Sequence, residues 1–132
     1  MSGDKRARDR ARRGFTLIEM LVVMAIIALL LTIAVPRYFG AIDKSRDVAL
    51  RENLHVLRST LDKFYADKGH YPDTLEDLVT HRYLRAVPFD PVTESALTWI
   101  PIPSTDSDVQ GIVDVKSGAA GQNEVGVAYE TF

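Results

Sequence analysis

The sequence predicts an α+β protein in which a long N-terminal helix carries a small head. Two observations predict this class. Residues 15–66 contain a continuous apolar run and then an amphipathic helical pattern. Residues 96–129 contain short β-prone segments that are separated by turn residues. With 132 residues, the chain has the length of one small domain.

The apolar run extends from Phe15 to Val35 and contains one ionisable side chain, Glu19. A helix of this length reaches about 31 Å, close to the hydrocarbon thickness of a bilayer. We therefore expect residues 15–35 to span a membrane. A secretory signal peptide with a cleavage site near Thr32–Ala34 is the alternative, but its apolar core is typically only about 7–15 residues long.

Charge is distributed unevenly along the chain. Residues 1–14 hold six basic and two acidic residues, a net charge of +4, whereas the remainder holds 10 basic and 16 acidic residues, a net charge of −6. The positive-inside rule places the basic segment in the cytoplasm and sends the rest of the chain across the membrane. An acidic body argues against nucleic-acid binding. The absence of cysteine excludes disulfides, thiolate metal sites and cysteine nucleophiles.

Glu19 is the unusual residue of the apolar run. A carboxylate at the centre of a membrane helix costs roughly 2.5–3.5 kcal/mol, and less near an end. Residues 15–35 contain no Lys, Arg or His that could pair with it. Either Glu19 reaches the headgroups or stays protonated, or its partner comes from another chain or from a newly made α-amino group. The second interpretation indicates assembly.

The segment Arg13–Val22 reads RGFTLIEMLV and follows a short basic leader. It resembles the N-terminal signature of type IV pilin-like proteins, which include the pilins and the pseudopilins of type II secretion systems. The resemblance implies that a prepilin peptidase removes residues 1–14 by cutting between Gly14 and Phe15, and that it methylates the amine of Phe15. It also implies that Glu19 pairs with the N-terminal amine of a neighbouring subunit.

Residues 36–132 are predicted to form a periplasmic head that includes the second half of the long helix. Pro36 matches the proline that bends or loosens this helix in the family, and its missing N–H gives the bend a physical cause. A helix from Tyr38 to Ala66, ended by Gly69, is predicted by apolar residues that recur at helical spacing. These residues are Leu50, Leu54, Leu57, Leu61 and Phe64.

For the remainder of the head, the sequence predicts one short helix and about three antiparallel strands. The helix follows Tyr71–Pro72, with Asp73 or Thr74 as its N-cap, and ends near Tyr83–Leu84. The predicted strands are Ala96–Ile102, with Pro101 marking an edge, Gly111–Lys116 and Val125–Tyr129, and the predicted loop is Ser117–Asn123. Residues 71–91 also resemble the middle of the major pseudopilin of type II secretion.

Two features point weakly to calcium. Asp106–Gly111 has alternating oxygen donors before a glycine, but Ser117 stands where a calcium loop needs its bidentate Glu. Major pseudopilins often hold calcium in a C-terminal loop, and here Ala120 replaces an expected acid of that loop. The remaining candidate donors are Asp108, Asp114, Ser117 and Asn123. We therefore expect no firm cofactor and doubt a tight calcium site.

No catalytic constellation is visible, since His55, His70 and His81 lack metal spacing and no serine lies in a nucleophile motif. The resemblance implies a structural protein, a pseudopilin that polymerises into the periplasmic pseudopilus of a type II secretion system. The alternative is a true type IV pilin for adhesion, motility or DNA uptake. Many pilins close a C-terminal loop with a disulfide, so the absence of cysteine favours the pseudopilin.

The resemblance also implies partners and a location. The partners are other copies of the chain, other pseudopilins, the prepilin peptidase, and an inner-membrane assembly platform with its ATPase. The location is the bacterial inner membrane, which the chain crosses once with its N-terminus in the cytoplasm, and then the periplasmic filament.

Overall fold

The computed structural model describes residues 14–132, so the predicted leader lies outside the described residues except for Gly14. The elements are α1 (Leu17–Lys68), α2 (Glu76–Thr80), β1 (Ile100–Pro103), β2 (Ile112–Lys116) and a 3₁₀ helix (Tyr129–Thr131). The chain divides into two compact units between Phe39 and Gly40. A long apolar helix and a small head with two antiparallel strands confirm the predicted pilin-like α+β class.

Helix α1 has 52 residues and is helical on both sides of Pro36. It ends where the sequence predicts. Gly69 adopts a φ of 77°, and its N–H donates to the Tyr65 carbonyl at 2.8 Å. A positive φ is easy for glycine and closes the last turn of a helix.

The core of the head forms along one face of α1, as the spacing of its apolar residues predicts. The five predicted stripe residues are all buried. They pack with apolar residues of the later segments, namely Leu75, Leu78, Trp99, Ile112 and Val115. Trp99 also satisfies its ring N–H, which donates to the Pro88 carbonyl at 2.8 Å. Burial of apolar area on α1 is therefore what fixes the rest of the head onto it.

Strands β1 and β2 form an antiparallel pair in which Ile102 faces Asp114 and Pro103 faces Ile112. Strand β2 thus contains one extra residue, Val113, opposite this step. Such a bulge shifts the inward and outward alternation by one residue. Both Ile112 and Val115 are therefore buried, which a regular strand would not allow.

Strand β1 contains two prolines, Pro101 and Pro103, at alternate positions. Within this strand, only Ile100 and Ile102 carry an N–H that can be donated. The prediction that Pro101 marks an edge agrees with this arrangement, because β1 is paired with β2 alone among the described strands.

The third predicted strand, Val125–Tyr129, is wrong. The segment forms turns, and its only ladder contact within the described residues is a single bridge between Gln122 and Ala128. The side chain of Asn123 accepts hydrogen bonds from the N–H groups of Val125 and Val127, at 3.2 and 2.8 Å. An Asn that bonds to its own following backbone competes with a strand ladder, which explains the difference.

Helix α2 is shorter than predicted, and its first helical residue is Glu76. The N-cap residue is Leu75, whose side chain makes no capping hydrogen bond, so the predicted N-cap at Asp73 or Thr74 is wrong in position. Thr74 still contacts the first turn, since its hydroxyl accepts the Asp77 N–H at 3.3 Å. The Asp77 carboxylate accepts the Thr74 N–H in return at 3.1 Å. This reciprocal pair has the form of a capping box, with Asp in place of the usual Glu.

Two glycines allow close approach between segments. A Cβ on Gly118 would collide with the Thr98 carbonyl oxygen. Gly111 has a φ of 104°, and a Cβ there would meet the carbonyl groups of Tyr71 and Pro72. The loops on both sides of β2 therefore pack directly against backbone.

The buried carboxylate of Asp90 holds the turn that precedes β1. Asp90 is fully buried. Its Oδ1 accepts the N–H groups of Val92 and Thr93, at 2.9 and 3.3 Å. Its Oδ2 accepts the hydroxyl of Ser117. One side chain thus joins a local turn to the segment after β2.

We expect Asp90→Ala to lower the free energy of unfolding of the detergent-solubilised chain by about 2–4 kcal/mol, because buried donors lose their acceptor. Chemical denaturation monitored by Trp99 fluorescence measures this. Asp62→Ala removes an exposed carboxylate from α1 and is the control, with little expected effect. Equal stabilities for the two variants would contradict the assigned role of Asp90.

Candidate assembly site at the start of the long helix

The start of α1 is closed by a reciprocal pair of hydrogen bonds. Residues 14–16 are not helical, and the helix begins at Leu17. The Thr16 hydroxyl accepts the Glu19 N–H at 3.2 Å. The Glu19 carboxylate accepts the Thr16 N–H through Oε2 at 3.3 Å. This is a capping box, which satisfies two of the N–H groups that a helix start leaves without a helical acceptor.

The capping box gives Glu19 a local role that the sequence analysis missed. The signal was present, since Thr16 and Glu19 have the Thr-x-x-Glu spacing of a capping box. The helix dipole also favours an anion in the first turn. These contacts occupy Oε2 and leave Oε1 for another donor. Glu19 is exposed, as are its neighbours in the first turns.

The apolar side chains around Glu19 are exposed among the described residues of their unit, residues 14–39. By length and composition, α1 is apolar enough to cross a membrane, and it is the one such helix in residues 17–132. Its first half is exposed on all sides. The large exposed apolar residues include Leu17, Ile18, Leu21, Met24, Leu29 and Leu30. A soluble monomer would leave this whole surface in water, which the hydrophobic effect opposes.

Each candidate calcium donor has its own hydrogen-bond partner in the head. Asp114 accepts the Arg58 Nε–H at 2.8 Å, and Arg58 also donates to the main-chain oxygens of Val115 and Phe132. Ser117 donates to the buried carboxylate described above. The carboxylate of Asp114 therefore carries the charge that neutralises a guanidinium.

The other two candidates are also placed apart from a shared site. Asn123 donates to Asp47 Oδ2 at 2.6 Å and caps its own turn. Asp108 is exposed, and its N–H donates to Asp106 Oδ1 at 3.0 Å. In the part of the chain from residue 14 onwards, no three His, Cys, Asp or Glu side chains are close enough to hold a metal ion. Ala120 supplies no ligand, as the sequence already indicates.

The histidines make packing contacts. His70 and His81 lie edge-on to the Phe64 ring, with centroid distances of 5.6 and 5.4 Å. Their Nδ1 atoms lie within hydrogen-bond distance of the carbonyls of Tyr71 and Asp77. His55 is exposed on α1. His70 and His81 therefore share one packing contact, the Phe64 ring.

Three carboxylates gather where the C-terminal turn meets α1. Asp43 and Asp47 lie one helical turn apart, and Glu124 lies beside them. Hydrogen bonding to Asp43 is the largest of the effects that raise the pKa of Glu124, followed by desolvation and by repulsion from Asp43 and Asp47. Like charges at this spacing destabilise a helix. The hydrogen bond from Asn123 to Asp47 offsets part of the repulsion.

This acidic group predicts a pH dependence of head stability. The pKa of Glu124 is higher in the folded state than its ordinary value. Its favourable contribution is therefore fully present below the unfolded pKa and is lost as the pH rises through the folded pKa. We expect Glu124→Gln to raise the melting temperature of the solubilised chain at pH 7 and to change it little at pH 4.

Thermal unfolding of the two proteins across this pH range measures the difference. Glu52→Gln removes an exposed carboxylate from α1, outside the acidic group of Asp43, Asp47 and Glu124, and it is the control. An equal gain from both variants, or a gain from Glu124→Gln that persists at pH 4, would show that the repulsion is not the cause.

Comparisons with known proteins address the same N-terminal segment. A family model described as the prokaryotic N-terminal methylation motif matches residues 9–35. This range contains the whole capping box and the whole apolar run. No solved structure matches the chain significantly.

Similar proteins extend the match into the head. A type II secretion system core protein G of Klebsiella michiganensis is 32% identical over 100 residues, covering 64% of this chain and 70% of that protein. The protein of the same name from Escherichia coli is 39% identical over 77 residues, covering 56% of this chain and 52% of that protein. The type IV major pilin protein PilA of Myxococcus xanthus is 35% identical over 66 residues, covering 50% of this chain and 30% of that protein.

The Klebsiella match extends over more than two thirds of its relative, and the methylation motif coincides with the candidate assembly site. These proteins are structural subunits and not enzymes, which agrees with the scattered histidines and carboxylates of the head. The chain belongs to the type II secretion system core protein G family, and it is a pseudopilin.

Proposed function

We propose that this pseudopilin polymerises with other copies of itself into a periplasmic pseudopilus. Glu19 favours assembly because it pairs with the N-terminal amine of a neighbouring subunit. Residues 1–14 act as a leader, residues 15–35 cross the inner membrane, and residues 36–132 form the periplasmic head. A prepilin peptidase cuts between Gly14 and Phe15 and methylates the new Phe15 amine. The basic leader stays in the cytoplasm.

The observation that carries this proposal is the half-satisfied carboxylate at the start of an apolar helix. Among the described residues, the Glu19 carboxylate accepts one hydrogen bond, from the Thr16 N–H at 3.3 Å. That contact caps the helix but supplies no countercharge. A carboxylate in lipid is stabilised by pairing with a positive group. Cleavage before Phe15 creates such a group in every subunit, at the same depth in the membrane.

Pairing between subunits satisfies two unfavourable charges with one contact. The amine of Phe15 and the carboxylate of Glu19 lie at opposite ends of the same short segment, so each subunit offers both to its neighbours. Removing one partner of a desolvated ion pair is strongly destabilising, which makes a mismatched register costly. The exposed apolar side chains of α1 then pack against neighbouring helices as the subunits leave the lipid.

Further partners follow from this role. We propose that the chain is delivered to an inner-membrane assembly platform with its ATPase and that it associates there with other pseudopilins. The match with core protein G relatives supports these partners. A true type IV pilin remains less favoured, because the Myxococcus pilin match covers only 30% of that protein.

The first test of the proposal is the mature N-terminus. We expect mass spectrometry of the chain purified from its host membranes to show Phe15 as the first residue, with a methylated amine. The physical reason is that an uncleaved leader leaves no amine near Glu19. A mature chain that starts near Val35 would instead identify an ordinary signal peptide and would remove the membrane helix.

The second test separates the charge of Glu19 from its capping role. We expect Glu19→Gln to be cleaved normally and to lose filament assembly, because the amide retains hydrogen bonding but cannot neutralise an ammonium group. Thr16→Val is the matched variant, since it removes only the capping hydroxyl of the same box. Sedimentation and electron microscopy of sheared filaments measure assembly.

Normal filaments from Glu19→Gln would contradict charge pairing and would leave only the capping role. We expect Thr16→Val to retain assembly at a reduced level, because it weakens the helix start by about 1 kcal/mol without removing the charge. Complete loss in Thr16→Val together with normal filaments in Glu19→Gln would reverse the two assigned roles.

A further inference from the structure

A cluster of one cation and two aromatic rings lies directly after the apolar run. The cluster is Arg37, Tyr38 and Phe39, and all three side chains are exposed. Tyr38 is 65% exposed and Phe39 is 60% exposed. Their rings contact each other edge to face, with centroids 6.1 Å apart. Unlike Phe64 in the head, neither ring is buried by the described residues of its unit, residues 14–39.

The angular placement of the cluster indicates what surrounds it. Consecutive residues on a helix are about 100° apart, so these three side chains cover roughly 200° of the circumference. A partner protein that docks on one face of a helix contacts residues three and four apart. A cluster that covers most of the circumference is instead typical of a helix that is surrounded by lipid headgroups.

The backbone next to the cluster also favours a location at the membrane surface. Pro36 has no N–H, so the Thr32 carbonyl lacks the donor that a helix would normally give it. The Thr32 hydroxyl donates to the Leu29 carbonyl at 2.5 Å. An unsatisfied carbonyl is costly in hydrocarbon, where water is absent. The turn from Thr32 to Pro36 is therefore best placed where water and lipid headgroups reach the backbone.

The distance along the helix agrees with a membrane boundary at the cluster. From Phe15 to Tyr38 a helix rises about 34 Å, slightly more than the roughly 30 Å of a bilayer core. With Tyr38 at one interface, Phe15 and Glu19 reach the other. Aromatic rings are enriched at this depth, and an Arg beside them can bind lipid phosphate.

We propose that Arg37, Tyr38 and Phe39 form an interfacial anchor that binds the outer headgroup layer of the inner membrane and sets the depth of the unassembled subunit. The anchor rests on the membrane location in the proposed function. It holds the cleavage junction and Glu19 at the opposite surface, where a peptidase on that side reaches them. It is also a contact that each subunit must release when it enters a filament.

The absence of cysteine in the chain makes the boundary measurable. Single cysteines are placed at successive positions from 31 to 44 in the full, leader-bearing chain. The proteins are reconstituted in vesicles of phosphatidylethanolamine and phosphatidylglycerol and reacted with a membrane-impermeant maleimide. We expect labelling to begin within a turn of Tyr38.

Removing both rings tests the anchor itself. In the Tyr38→Ala and Phe39→Ala double variant we expect the edge of labelling to move about one turn, three to four residues, towards the N-terminus. The reason is that the polar residues after the cluster then draw the helix into water. Replacing both rings with Trp should restore the edge, and Val48→Ala, an exposed apolar residue further along α1, should leave it unmoved.

Three results would overturn the anchor. The first is an edge that stays in place in the double Ala variant. The second is a wild-type edge that lies more than one turn beyond Tyr38, or a wild-type chain that is labelled at none of positions 31 to 44. The third is an edge that moves when the lipid-to-protein ratio is raised tenfold, because the rings would then be covered by another copy of the chain and not by lipid. The assay needs neither cleavage nor polymerisation, so it is independent of the Glu19 tests. Labelling of the wild-type chain at every position from 31 to 35, the part of the apolar run that the scan covers, would instead overturn the membrane location itself.

Discussion

The constraint on which this molecule depends is a carboxylate at the beginning of a helix that is otherwise apolar. The capping box with Thr16 satisfies the geometry of Glu19 but not its charge. A negative charge with hydrogen bonds but no countercharge is tolerable at a membrane surface and costly deeper in the lipid. In the proposed assembly, pairing with the N-terminal amine of a neighbouring subunit would supply the countercharge that the capping box does not.

The head has a separate constraint, because only the residues after Lys68 are available to cover the apolar face of α1. A leucine stripe on α1 supplies one wall of the core, and the later segments supply the other. Hydrogen bonds from polar side chains then hold segments that are too short for extensive backbone pairing between strands. Asp90 gathers the turn before β1 and the segment after β2. Arg58 bonds to Asp114, to the backbone of β2 and to the end of the chain.

The sequence was most informative where one physical pattern dominated. The apolar run, the stripe from Leu50 to Phe64 and the stop at Gly69 each depend on local periodicity or on a single backbone conformation, and each is confirmed. The third strand failed because Asn123 bonds to the backbone that follows it, a competition that β propensity does not include. The bulge at Val113 depends on pairing with a distant strand and has no local signal. At the candidate site, sequence alone identified Glu19 but not its contact with Thr16, although their spacing was readable.

The two prolines of β1 have a consequence for crowded subunits. Since Pro101 and Pro103 cannot donate, the outer edge of this strand lacks N–H groups at alternate positions. An unpaired edge with a full set of donors would recruit extended segments from nearby molecules. This edge recruits them poorly. Two heads would therefore pair poorly through this edge, even where subunits are crowded together.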